Sequence, residues 1–128
     1  MLYVRESSNS FGQVCKKLHE AAAENKFGVL GVHDLKDKMQ SKGVAFDHEC
    51  RVFDVCNPGK AKTVLESDMS VSTALPCRIS VYEEYGTVKV ATLKPTDVLA
   101  LFQRPDLEPV AREVEDAMVR MIDAACNA

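Results

Sequence analysis

The residues best placed to do chemistry in this chain are two cysteines and the side chains beside them. Cys56 closes one alternating segment and Cys77 opens another, with twenty residues between them. A detour of that length could return the chain so that the two sulfurs sit on neighbouring strand ends. A thiol pair there could hold a soft metal, or oxidise reversibly if one thiolate were stabilised by Arg78 or a helix N-terminus. His33 and His48 could complete such a site, because zinc takes four sulfur or nitrogen ligands. Against this, the spacing is no established ligand code, and cysteine at a strand end commonly packs as a small hydrophobe.

A second candidate is the turn Asn57-Pro58-Gly59-Lys60. It opens a helix, whose free N–H groups attract anions, and Lys60 and Lys62 add charge. The same turn needs no ligand to form, since proline fixes φ and glycine accepts positive φ. There is no phosphate-cradling G-x-x-x-x-G-K-[ST], no G-x-S-x-G and no H-E-x-x-H. Glu83 and Glu84 are adjacent on an expected strand, so they point to opposite faces and make no acid–base pair. His19 borders the apolar stripe of a helix and reads as an edge residue. The ligand-binding candidates are thus Cys56, Asn57, Lys60, Cys77 and Arg78, the metal candidates Cys56, Cys77, His33 and His48, and no catalytic group stands out. No cofactor is implied beyond a soft metal.

Composition limits the partners. The 128 residues suit one domain with one core, 46% of them hydrophobic. Sixteen basic and nineteen acidic residues are interleaved, giving a net charge of −3 and no basic stripe for a nucleic-acid backbone. No apolar run approaches the roughly 20 residues that span a bilayer, and no signal-peptide pattern opens the chain. Five cysteines, an odd number without a C-x-x-C pair, fit reduced thiols in the cytoplasm better than a secreted disulfide framework.

The elements that must carry these residues follow from periodicity. Leu2-Tyr3-Val4 predicts a short strand, stopped by Arg5, Glu6 and the serines after them. Ser10 and Gln13 form a capping box for a helix whose apolar side is Phe11, Val14, Cys15, Leu18 and Ala22, with Gly28 as its stop. Phe27–Val32 predicts a second strand, whose glycines suggest a bulge. Asp34 caps a short helix ending at Gly43, and alternation predicts a third strand over His48–Cys56. Lys60–Glu66 and a turn capped by Asp68 are helical connections rather than core elements. Cys77, Ile79 and Val81 lead through Tyr85-Gly86 into Val88, Val90 and Thr92, an antiparallel hairpin. Pro95 opens a short helix. Asp106 is expected to cap the last one, whose stripe is Val110, Val114, Ala117, Met118, Met121, Ile122 and Ala125. Strand, helix, four strands and a closing helix give an α+β fold with helices on one face of a mainly antiparallel sheet.

Phe53-Asp54-Val55-Cys56-Asn57-Pro58, Val64-Leu65, Asp68, Leu75-Pro76-Cys77-Arg78-Ile79-Ser80-Val81-Tyr82-Glu83 and Val88-Lys89-Val90 together resemble the domain of unknown function 302. The resemblance runs from about Gly12 to Phe102 and is carried by the C-N-P and L-P-C-R-I segments at the family's separation. It implies a TATA-binding-protein-like fold, β-α-β(4)-α, and a homodimer, but no activity. The expectation is therefore a homodimeric binding module that takes a small molecule or anion in a groove between sheet and last helix. The competing expectation is a redox or soft-metal protein using Cys56 and Cys77.

Overall fold

Five segments with period-two patterning form one sheet in the computed structural model, which describes residues 1–128. In chain order the elements are β1 (Leu2–Ser7), α1 (Phe11–Glu24), β2 (Gly28–Asp34), α2 (Leu35–Ser41), β3 (Cys50–Cys56), α3 (Pro58–Ser67), a 3₁₀ segment (Met69–Ala74), β4 (Cys77–Glu84), β5 (Thr87–Leu93), α4 (Pro95–Ala100), a 3₁₀ turn (Pro105–Leu107) and α5 (Glu108–Cys126). The strands lie in the order β1-β5-β4-β3-β2, and every neighbouring pair is antiparallel. The β4–β5 hairpin turns through Tyr85 and Gly86, both at positive φ, the geometry that matches strand twist in a two-residue loop.

One face of the sheet carries Phe53, Val55, Ile79, Val81, Val88 and Val90. They join the apolar stripes of α1 and α5 in a 19-residue core. Both long helices therefore cover the same face. Leu18, Ile79, Met118, Met121 and Ile122 are among its fully buried side chains. On the opposite face the register aligns Val4, Ala91, Ser80, Val52 and His33 in one row across all five strands.

Several boundaries differ from expectation for identifiable reasons. β1 continues to Ser7 because Arg5, Glu6 and Ser7 pair with Val90, Lys89 and Val88, a tertiary gain that outweighs their weak strand preference. The capping box at Ser10 forms as expected, but α1 ends at Glu24 with Asn25 as its C-cap, followed by Lys26 at positive φ; Gly28 begins β2 instead of ending the helix. β2 extends to Asp34 with a bulge between Val29 and Gly31. β3 begins at Cys50, so His48 lies outside the strand, against the ring of Phe46. Asp106 caps nothing: it accepts from Arg104 and Ser67, and α5 starts without a side-chain cap.

The helices expected to be mere connections build a second core. Val64 of α3, Val71, Leu99 of α4, Leu107 and Ala111 of α5 form a buried cluster, with Leu75, Phe102 and Val110 against it. α5 thus belongs to both cores, its first turns to the small one and its later turns to the large one. No helix is long and apolar enough to cross a membrane.

Candidate functional site

A cavity of about 510 Å³ runs from the end of the sheet where β3 stops, β4 begins and β5 stops onto the face opposite α1 and α5, where Val52, Ser80, Tyr82 and Ala91 line it. β3 delivers Val52, Val55 and Cys56, while β4 delivers Cys77, Arg78, Ser80 and Tyr82. The roof comes from Ala61 and Val64 of α3, Leu75 and Pro76, Val98 and Leu99 of α4, and Val110, Ala111 and Val114 of α5. Of its 25 lining residues 18 are hydrophobic, so its walls are mainly aliphatic. The local reason is chain direction: Asn57-Pro58 and Lys94-Pro95 turn the chain out of the sheet into α3 and α4, and those helices lean back across the strand ends.

All five ligand-binding candidates border this cavity: Cys56, Asn57, Lys60, Cys77 and Arg78. Cys56 and Cys77 lie on adjacent strand ends, as expected. The register sets Cys77 opposite Val55 rather than Cys56, so alternation directs the two thiols to opposite sides of the sheet. Both meet the cavity because it reaches around the strand ends. Both are free thiols. Burial pushes the Cys77 thiol up to about 11, with any charge on Cys56 adding to the effect. Burial also raises Cys56 above its ordinary value. Each thiol is therefore held protonated near neutral pH, the reverse of an activated thiolate.

Arg78 does not serve the thiols. Its Nε lies 3.5 Å from Asp54 Oδ1, across the β3–β4 register. The other carboxylate oxygen of Asp54 meets His33 Nε2 at 2.7 Å, and Lys38 Nζ lies 3.4 Å from His33 Nδ1. Lysine only donates, so Nδ1 accepts and Nε2–H donates to Asp54. Asp54 Oδ1 is buried and has no hydrogen-bond partner, Arg78 standing just beyond that reach.

The Asn57 side chain caps α3 by accepting from the backbone N–H of Lys60 at 3.2 Å. Its carbonyl accepts from Ala61 N–H. Part of the expected anion-binding edge is thus already satisfied within the chain. Lys60 extends its ammonium to Glu113 of α5, bridging the cavity's outer rim.

The expected metal set does not assemble. His33 turns to Asp54 and His48 lies in the loop before β3, and no group of three or more His, Cys, Asp or Glu side chains comes together to hold an ion. Sequence reasoning missed Asp54 as the partner of Arg78, and missed Val52, Val98, Val110 and Val114 as walls. Val110 and Val114 had a signal: they begin the α5 stripe, yet remain half-buried while the rest of it is sealed. Asp54 would have followed from the register of β3 against β4.

The comparisons agree with this architecture. The model of the domain of unknown function DUF302 matches residues 3–125. The crystal structure of an uncharacterized conserved protein, DUF302, from Bacillus stearothermophilus superposes with a TM-score of 0.93 at 31% identity, covering 98% of each chain. No curated protein matches this sequence. A match over nearly the whole chain, at the level of both sequence and fold, places this protein in the DUF302 family.

Proposed function

We propose that this protein is a non-catalytic binding module that takes up a small, largely apolar molecule in the cavity between the end of the sheet, α3, α4 and the first turns of α5. The observation that carries the reading is the cavity itself. Its volume of about 510 Å³ falls inside the roughly 300–1,000 Å³ range of small-molecule sites. Its walls are mainly aliphatic with a few polar groups among them, the composition such sites share. Cys56 and Cys77 act as wall residues in this reading, consistent with the raised values of both thiols.

Homodimerisation is part of the same proposal. The edge strands β1 and β2 leave Val4, Leu30 and Val32 exposed outside the cavity's lining, and these edges offer a surface for a second copy. Sedimentation of the purified protein measures it.

The test of the cavity is titration with N-phenyl-1-naphthylamine, a neutral apolar fluorophore. The expected result is a saturable rise in fluorescence, abolished in Val98→Trp, which fills the space beneath α4 while leaving the large core untouched. Native mass spectrometry of the protein from its own cells would report any retained molecule. Absence of fluorophore binding, or equal binding by a folded Val98→Trp variant, would remove the proposal.

A further inference from the structure

Charge around the cavity is one-sided. Among its 25 lining residues the only charged ones are Lys60 and Arg78, both cationic, and no aspartate or glutamate borders it. This runs against the chain as a whole, in which acidic residues outnumber basic ones and the net charge is −3. The two cations also sit together in the topology. Lys60 is in the first turn of α3, four residues beyond Cys56, and Arg78 faces Asp54 across the β3–β4 pair. Both line the cavity near the end of β3 in the chain, Lys60 just after it and Arg78 opposite Asp54 within it.

Arg78 is equipped to hold an incoming group. Its side chain is 65% exposed, and its Nε approaches Asp54 at 3.5 Å. Asp54 is itself shared with His33 at 2.7 Å, so its charge is divided between two partners. The strand register sets the guanidinium near Asp54 without a hydrogen bond between them, so its N–H groups remain for a planar oxyanion, the geometry arginine binds best. Lys60 is tied to Glu113 on the rim, a surface pair that contributes little and yields readily to a better partner.

From this we infer that the ligand class is an amphipathic anion: an aliphatic body lying in the cavity, with a carboxylate or similar oxyanion held by Arg78 and assisted by Lys60. Asp54 is a positioning residue for Arg78. The inference rests on the binding reading above and adds the headgroup to it.

The test is displacement of N-phenyl-1-naphthylamine by three twelve-carbon probes that differ only in the head: dodecanoate, dodecan-1-ol and dodecylammonium. Dodecanoate is expected to displace the fluorophore at least ten-fold more tightly than dodecan-1-ol, with dodecylammonium weakest. Arg78→Gln is expected to reduce the dodecanoate-to-dodecanol ratio to near one, and Arg78→Lys to retain part of it. In the unmodified protein, rising salt should narrow the same ratio, which gives a reading independent of any variant. Equal affinity for dodecanoate and dodecan-1-ol overturns the headgroup assignment and leaves the apolar cavity standing. Failure of every probe, fluorophore included, overturns both. Fluorophore binding that emerges only as a dimer dissociates on dilution would show that a second copy occupies the cavity, and would also overturn the inference.

Discussion

Alkylation of Cys77 by iodoacetamide gives the sharpest measure of what the strand-end thiols are built to do. Burial raises its value from the ordinary 9.0 to about 11. At pH 8 an ordinary thiol of that kind is ~10% thiolate, whereas Cys77 would be ~0.1%, a ~100-fold loss of the reactive species. Restricted access between β3, β4 and the roof of the cavity slows it further. The assay is native-state labelling across pH 7 to 11, read by peptide mass spectrometry, with unfolded protein as the reference for each cysteine. Cys77 should label at least ~100-fold more slowly than its unfolded reference at pH 8, and its rate should still be climbing beyond pH 10. A midpoint at or below 9 would refute the reasoning, because it would require a charge partner that the structure does not place there.

The same shift has a consequence for stability. A group whose folded value exceeds its unfolded one favours the fold in full below the unfolded value and loses that contribution as pH rises through the folded value. For Cys77 the window runs from about pH 9 to about pH 11. Cys15, Cys56 and Cys126 are also raised by burial and act with the same sign. The protein should therefore weaken on the alkaline side, and Cys77→Ala should flatten part of that slope.

Three further outcomes are expected. Met121→Ala empties a fully buried position between α5 and the sheet and should cost about 3 kcal/mol, seen as a lower denaturant midpoint with an unchanged slope. Asp123 Oδ1 accepts from Tyr3 Oη at 2.5 Å and from Arg5 Nη1 at 2.8 Å, fastening β1 to α5; Asp123→Asn should cost about 1 kcal/mol. Tyr3 is raised by burial and then by Asp123, so that variant should also move one tyrosine to an earlier titration in an ultraviolet pH scan. Finally, Ser70 and Arg104 hold Asp68 low, and Arg104 with Ser67 holds Asp106 low. Lowered carboxylates stabilise above their unfolded values and lose that contribution as pH falls through the folded ones, so Arg104→Ala should flatten the acid limb of the stability curve below about pH 4.

What the sequence disclosed depended on how local the signal was. The capping box at Ser10, the Tyr85-Gly86 hairpin and the α5 stripe rest on neighbours within a turn or two, and each is present in the structure. The extension of β1 through Arg5 and Glu6 was hidden, because only pairing with Lys89 and Val90 makes those residues strand. The adjacency of Cys56 and Cys77 was legible from the length of the detour, but their chemistry was not. Cys77 lies deeper because the register turns it, with Val55, onto the face of the 19-residue core, a pairing that no local pattern encodes. His33 and His48 were read as ligands from residue type alone; the register commits His33 to Asp54, and the start of β3 at Cys50 leaves His48 outside the sheet.

The division of α5 explains how one small domain can hold a site without weakening itself. Ala117, Met118, Met121, Ile122, Ala125 and Cys126 seal the 19-residue core with α1 and the sheet, and that core carries most of the apolar burial. Ala111 belongs instead to the five-residue cluster with Val64, Val71, Leu99 and Leu107, while Val110 and Val114 face the cavity half-buried. A cluster of five residues contributes far less than one of nineteen, so α3, the following 3₁₀ segment and α4 are expected to open more readily than the large core, seen as faster amide exchange there. Such opening would expose the cavity while leaving the β3–β4 register that sets Arg78 opposite Asp54 intact. In the proposed binding reading, entry for a ligand would come from this region and the placement of Arg78 from the sheet, two parts of the chain joined through one helix.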